Sequence, residues 1–164
     1  MERKLNRLQN FDYATSVGYF ITICTQDKKC LLSQIVGTGL CSVQHLPIGK
    51  CLETEMQNLE NKYNLKFEKY VIMPNHIHMI VRLCKSLRTE QSPVPTISDI
   101  ICELKSKVTK LANKEEGIVG RKIFQRSFYD RIIRDDEYQP IAQYILENPY
   151  NWQKDEYYKG EKNA

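Results

Sequence analysis

Residues 16–26, SVGYFITICTQ, are dominated by β-branched and aromatic side chains, a pattern that predicts a first strand. After a glycine-containing connection the period changes. Ile48, Cys51, Leu52, Met56, Leu59 and Tyr63 recur at helical spacing over 46–64, and Pro47 suits a first turn, so a helix is expected there. KFEKYVIMP (66–74) and HIHMIVRL (76–83) read as two strands, or one long bent one, broken near Pro74-Asn75. A polar, proline-bearing loop over 85–98 leads to a second helix from about Ser98 to Asn113, with Ile101, Leu104, Val108 and Leu111 on its apolar side. Residues 124–135 are β-prone. A last helix is expected over 135–148, acidic at its start and stopped by Asn148-Pro149.

The resulting order is β-α-β-β-α-β-α. Its first six elements match an α+β, ferredoxin-like βαββαβ sandwich, with a further helix at the C-terminal end. At 164 residues, without internal repeats, the chain is expected to form one domain over 1–164. Hydrophobic residues at 41% and charged residues at 27% exclude a disordered chain. No apolar run is long enough to span a membrane, and MERKLNRLQNFDY lacks the apolar stretch of a signal peptide. A soluble, cytoplasmic protein without a membrane partner is the expectation. The six cysteines form no C-x-x-C pair, so they read as reduced thiols, several of them filling core positions, and not as a zinc site.

The net charge of +4 is modest, but its distribution is not even. From Arg82 to Arg134 there are twelve Lys and Arg against six Asp and Glu. A basic half of this kind points to a polyanionic partner, although a solvated charged face would look the same. Lys105, Lys107, Lys110 and Lys114 fall mostly off the apolar side of the second helix, where they could face a ligand.

Two histidines interrupt the driest segment. In a strand, side chains alternate between faces. Val71, Met73, Ile77, Met79, Val81 and Leu83 share one parity, expected to meet the covering helices, while Ile72, His76, His78, Ile80 and Arg82 share the other. The two imidazoles should therefore project side by side, within reach of one cation. From the spacing alone, satisfied polar residues on a half-exposed sheet are the favoured reading. Other His-x-His chemistries fit less well. A histidine triad needs a third His where Ile80 stands, a metallo-hydrolase motif needs Asp there, and a two-histidine phosphoesterase needs a second motif, whereas the remaining histidine is His45. Downstream, Tyr144 and Asn148 are four residues apart and so share a helical face. Taken singly, the tyrosine also fits a core edge and the asparagine ordinary helix-end chemistry.

MPNHIHMIV resembles the His-hydrophobe-His motif of single-tyrosine HUH transposases. More closely, the chain is similar to the transposase-like proteins associated with repetitive extragenic palindromes. The similarity runs through FDYATSVGYFITICTQ, YVIMPNHIHMIV, LKSKVTK and FQRSFYDRIIRDDEYQPIAQYILENPYNW, in that order. One departure is Phe124, where the family usually has Trp. The resemblance implies that Tyr144 is the catalytic nucleophile and that His76, His78 and Asn148 hold a divalent cation. It favours Mg²⁺, and mixed nitrogen and oxygen ligands also accept Mn²⁺. Lys105, Lys107, Arg126 and Arg131 are expected to contact DNA.

The implied reaction is metal-dependent cleavage and rejoining of single-stranded, hairpin-containing DNA through a covalent 5′-phosphotyrosine. Tyr129 is read as structural or DNA-contacting, and monomer and homodimer both remain open. An RNA-recognition-type module on the same scaffold is the leading alternative, but no stretch carries its aromatic signature. A catalytically silent hairpin-binding descendant is the second alternative. A protein with no ligand would leave the paired histidines unexplained.

Overall fold

The computed structural model describes residues 18–37, 42–63, 65–83, 95–134 and 136–158. The start of the first expected strand, Cys41, Cys84, Asp135 and most of the 85–98 loop lie outside the described residues. Along the chain run β1 (Gly18–Cys24), β2 (Ser33–Val36), β3 (Ser42–His45), α1 (Pro47–Tyr63), β4 (Leu65–Ile72), β5 (His76–Leu83), α2 (Ile97–Glu115), β6 (Tyr129–Ile132) and α3 (Tyr138–Glu147). Short 3-10 turns follow β1, at Gln26–Lys28, and α3, at Trp152–Lys154.

Four strands form an antiparallel sheet in the order β4-β5-β1-β6. With α1 before β4 and α2 before β6, this is the expected ferredoxin-like arrangement. Two central strands, β5 and β1, are thereby held on both sides, so side chains on them are positioned rigidly. The hairpin of β2 and β3 is separate and was not anticipated. Its strands are four residues each and partly exposed on both sides, so they carry no long apolar alternation to read.

One sheet face is covered by α1 and α2. Leu52, Met56 and Leu59 from α1 and Ile101, Leu104 and Val108 from α2 pack onto Ile21, Ile23, Ile77, Met79 and Val81. At the N-terminus of α1 the packing is close enough to demand glycine. A Cβ on Gly49 would sit 2.1 Å from the Leu32 carbonyl oxygen. The start of α2 is fixed by a capping box, in which Thr96 Oγ1 accepts from Asp99 N–H at 3.2 Å while Asp99 Oδ2 accepts from Thr96 N–H at 2.9 Å.

The opposite face carries α3 over a second, much smaller apolar cluster of Ile80, Ile141, Ala142 and Ile145, flanked by Phe20, Val71, Ile133 and Tyr138. Burying one such aliphatic side chain contributes about 1.5–3 kcal/mol, so only a handful of residues hold α3 in place.

The parity expected across residues 71–83 holds in β5 and fails in β4. Met73 to Asn75 make a tight hairpin turn, closed by Met73 N–H donating to the His76 carbonyl at 2.9 Å. Val71 then lies opposite His78, and Ile72 opposite Ile77. Directly paired residues in an antiparallel ladder share a face, so Ile72 joins the main core and Val71 joins the histidine face. A parity count cannot be carried through a reversal of the chain. The cysteines also differ from expectation. Cys24 and Cys51 are half-buried, Cys30 and Cys102 are exposed, and none of these four fills the core. Among the described residues, no helix is long and apolar enough to cross a membrane.

Candidate active site

His76 and His78 project from β5 on the face away from α1 and α2, with ring centroids 4.6 Å apart. They are not half-exposed, as a bare sheet would leave them. Their residues are 0% and 2% accessible, because α3 and residues 152–158 lie over them. The Tyr157 ring packs 4.5 Å from that of His76, and the Trp152 ring 6.0 Å from it. Each Nδ1 has a fixed partner: Asn75 Oδ1 at 2.9 Å for His76, and Thr22 Oγ1 at 2.8 Å for His78. Thr22 stands directly opposite His78 across the β1–β5 ladder, so this contact follows from register.

Burial dominates the electrostatics. It lowers the His76 pKa to about 4, with Asn148 opposing and the Lys28 charge adding to the shift. It lowers that of His78 to about 3, helped by His76 and opposed by Asp155. Both rings are therefore neutral near pH 7, the state in which imidazole offers a lone pair.

Helix α3 delivers Tyr144 and, as its C-cap, Asn148. The Tyr144 hydroxyl lies 3.2 Å from His78 Nε2, while the residue as a whole is 44% accessible. Burial, Asp155 and Glu156 raise its pKa, and Asn148 lowers it. Asn148 is buried, and its Oδ1 has no hydrogen-bond partner among the described residues. Neither has His76 Nε2.

Asp155 completes the cluster, and sequence reasoning missed it. Its Oδ2 is 3.9 Å from His76 Nε2, and the ligand atoms of His76, His78 and Asp155 all lie within 4.8 Å of one another. Two imidazole nitrogens, a carboxylate and an orphaned amide oxygen form a set of acceptors that fits a divalent cation. Asp155 lies in a polar stretch beyond the last predicted helix and carries no local signal. Only the turn at Trp152–Lys154 brings it back over the sheet. A pocket of about 290 Å³ opens beside the cluster, with Tyr144, Asn148, Lys154, Asp155 and Glu156 among its lining residues.

The basic residues are divided between the two faces. Lys105 and Lys107 lie on α2, across the sheet from the histidines. Lys105 Nζ donates to the Arg126 carbonyl at 2.9 Å, and burial lowers its pKa. Lys107 pairs with Glu103 at 3.0 Å and Glu55 at 3.9 Å. Arg126 is exposed in the segment before β6. Arg131 stands opposite Phe20 on the histidine face and pairs with Glu137 at 2.8 Å. Tyr129, opposite Thr22, is on that face too, its ring 6.4 Å from Phe20, which stacks on His78 at 5.5 Å. The structure thus unites Tyr144, His76, His78 and Asn148, sets Arg131 on the same face, and leaves Lys105 and Lys107 apart.

A family model described as "Transposase IS200 like" matches residues 41–148, a span that includes both histidines, Tyr144 and Asn148. The chain belongs to this transposase family. As an IS200-like transposase it is expected to process DNA, and the resemblance read from MPNHIHMIV and the three other blocks holds at the level of family. An uncharacterised protein of Haemophilus influenzae (strain ATCC 51907 / DSM 11121 / KW20 / Rd) is 31% identical to this transposase over 95% of the chain and 93% of its own length. A solved REP-associated tyrosine transposase, bound to a REP hairpin, has a similar fold. It superposes with a TM-score of 0.57 at 18% identity, over 89% of this transposase and 74% of that chain.

Proposed function

We propose that this transposase cleaves and rejoins single-stranded DNA carrying a hairpin, with Tyr144 as nucleophile and a divalent cation bound by His76, His78, Asn148 and Asp155. The observation that carries the reading is the Tyr144 hydroxyl, 3.2 Å from His78 Nε2, between a cluster of buried acceptor atoms and an open pocket. When bound, the cation supplies positive charge that polarises the scissile phosphate. Family resemblance favours Mg²⁺.

The chain's own residues do the rest. Neutral His76 and His78 present lone pairs, and α3 holds Tyr144 beside them. Burial and the nearby carboxylates keep the phenol protonated until a phosphate arrives. The tyrosine oxygen then attacks phosphorus. A phosphotyrosine bond to the 5′ side forms, the bond to the 3′ oxygen breaks, the phenol loses its proton and the leaving oxygen gains one. Attack by a 3′-hydroxyl reverses these steps, and no external energy source is consumed.

The REP hairpin bound by the structural relative supports hairpin DNA as the partner. Arg131, on the histidine face, is assigned to the cleaved strand. Lys105 and Arg126 are assigned to the flanking duplex. Lys107, already engaged by Glu103 and Glu55, contributes less. The test is to incubate the full chain with a single-stranded hairpin oligonucleotide and Mg²⁺, digest it, and locate the DNA-bearing peptide by mass spectrometry. DNA on Tyr144 is expected. DNA on Tyr129 overturns the assignment, and binding without any adduct leaves a hairpin-binding module.

A further inference from the structure

Asn75 sits at the turn between β4 and β5, fully buried, and nothing in the proposed reaction uses it. Its side chain nevertheless joins three parts of the molecule. Nδ2 donates to the Tyr157 carbonyl at 2.8 Å and to the Lys28 carbonyl at 3.2 Å. Oδ1 faces His76 Nδ1 at 2.9 Å. Its own backbone carbonyl accepts from Thr25, from N–H at 2.9 Å and from Oγ1 at 3.0 Å, which ties the turn to the residue that follows β1.

These contacts leave one protonation pattern. A backbone carbonyl can only accept, so the amide NH₂ must face Tyr157 and Lys28; the reverse orientation would set an oxygen against two oxygens. The amide oxygen then faces His76, and Nδ1 must carry the proton. In a neutral imidazole that leaves the lone pair on Nε2, the atom aimed at Asp155 Oδ2 and lacking a hydrogen-bond partner among the described residues. The same amide acts on the carboxylate. Tyr157, held through its carbonyl by Asn75, donates its N–H to Asp155 Oδ1 at 2.7 Å, which turns Oδ2 towards His76.

We propose that Asn75 is a positioning residue of the metal centre, fixing the His76 tautomer directly and the Asp155 carboxylate through Tyr157. The inference rests on the metal reading above and deepens it. One buried amide sets the direction of two ligands that are far apart along the chain and adjacent in the fold. Partners of this kind typically change metal affinity by about 10–100-fold.

The test uses the full chain without metal, then with Mn²⁺ alone. Long-range ¹H–¹⁵N correlation of the imidazoles should show His76 protonated at Nδ1 in the unsubstituted protein. In Asn75→Asp the acceptor for Nδ1–H remains but both donors are gone. The His76 tautomer should persist there, while amides of residues 152–158 exchange at least about tenfold faster. In Asn75→Ala both effects are lost, the ring should populate the Nε2–H form, and Mn²⁺ affinity by calorimetry should fall about 10–100-fold. Asn75→Asp should lie between the two. A His76 ring protonated at Nε2 in the unsubstituted protein overturns the proposal, whatever the variants do. So does Mn²⁺ affinity within twofold of the original in Asn75→Ala. Should the unsubstituted protein fail to bind Mn²⁺ at all, the metal reading falls and takes this one with it; binding that is indifferent to Asn75 sinks the positioning role alone.

Discussion

Acid should weaken the metal-free protein in a way that belongs to two residues. In the unfolded chain His76 and His78 take up protons near pH 6.5, whereas in the fold they do so only near about 4 and about 3. Between these values the unfolded state binds more protons, so stability is fully present above about pH 6.5 and drains away as the pH falls. At pH 5 each ring should remove about 2 kcal/mol and the pair about 4 kcal/mol. For a chain of this size that corresponds to a fall in Tm of about 8–16 °C. The assay is thermal melting by circular dichroism in EDTA between pH 7 and pH 5, beside the double variant His76→Gln/His78→Gln. Carboxylates titrate in both proteins, so the difference between the two curves isolates the imidazoles. The remaining histidine, His45, sits half-buried beside Glu53 at 3.3 Å in both. Equal falls in Tm for the two proteins would refute the reasoning, because the rings would then not be held neutral by burial.

Tyr144→Phe removes one hydrogen bond from a residue that is 44% accessible, so stability should drop by only about 0.5–1.5 kcal/mol while covalent adduct on a labelled hairpin oligonucleotide falls by at least about 10⁴-fold. A large drop in Tm with adduct retained would reverse that assignment. Arg131→Ala should flatten the salt dependence of DNA binding by roughly 0.7–0.9 for each phosphate no longer neutralised, and Lys107→Ala should leave the slope nearly unchanged, as read by fluorescence anisotropy at several salt concentrations. Gly49→Ala should destabilise by about 1–3 kcal/mol, seen as a lower urea midpoint at constant m-value, since the added methyl meets backbone and not a yielding side chain.

The sequence carried the long periodic elements well. Residues 46–64 and 16–26 show unbroken helical and strand patterns, and α1 and β1 appear within those limits. The chain order then left few sheet arrangements to choose from. Shorter pieces escaped notice for a physical reason: β2 and β3 bury too little to impose a pattern. Four of the five candidate site residues were legible because His76 and His78, like Tyr144 and Asn148, are near neighbours on a single stretch of chain. Asp155 was not, since its place depends on a chain reversal after α3. Lys105 and Lys107 lie on the polar side of α2, and periodicity can tell which side of a helix is apolar but not which sheet face the helix covers.

The two unequal apolar clusters give the molecule a hierarchy of opening. The extensive one beneath α1 and α2 secures the strand that bears the imidazoles, whereas α3 adheres through a few aliphatic groups on the far side. Detachment of α3 would therefore require only a small part of the global unfolding free energy, and its amides should exchange long before those of β1 or β5. Part of the proposed active site is thus mounted on the scaffold and part on the helix held by the smaller cluster. A protein built this way can withdraw the tyrosine and its neighbouring amide together, as a single hinged unit, while the histidines stay where the sheet put them.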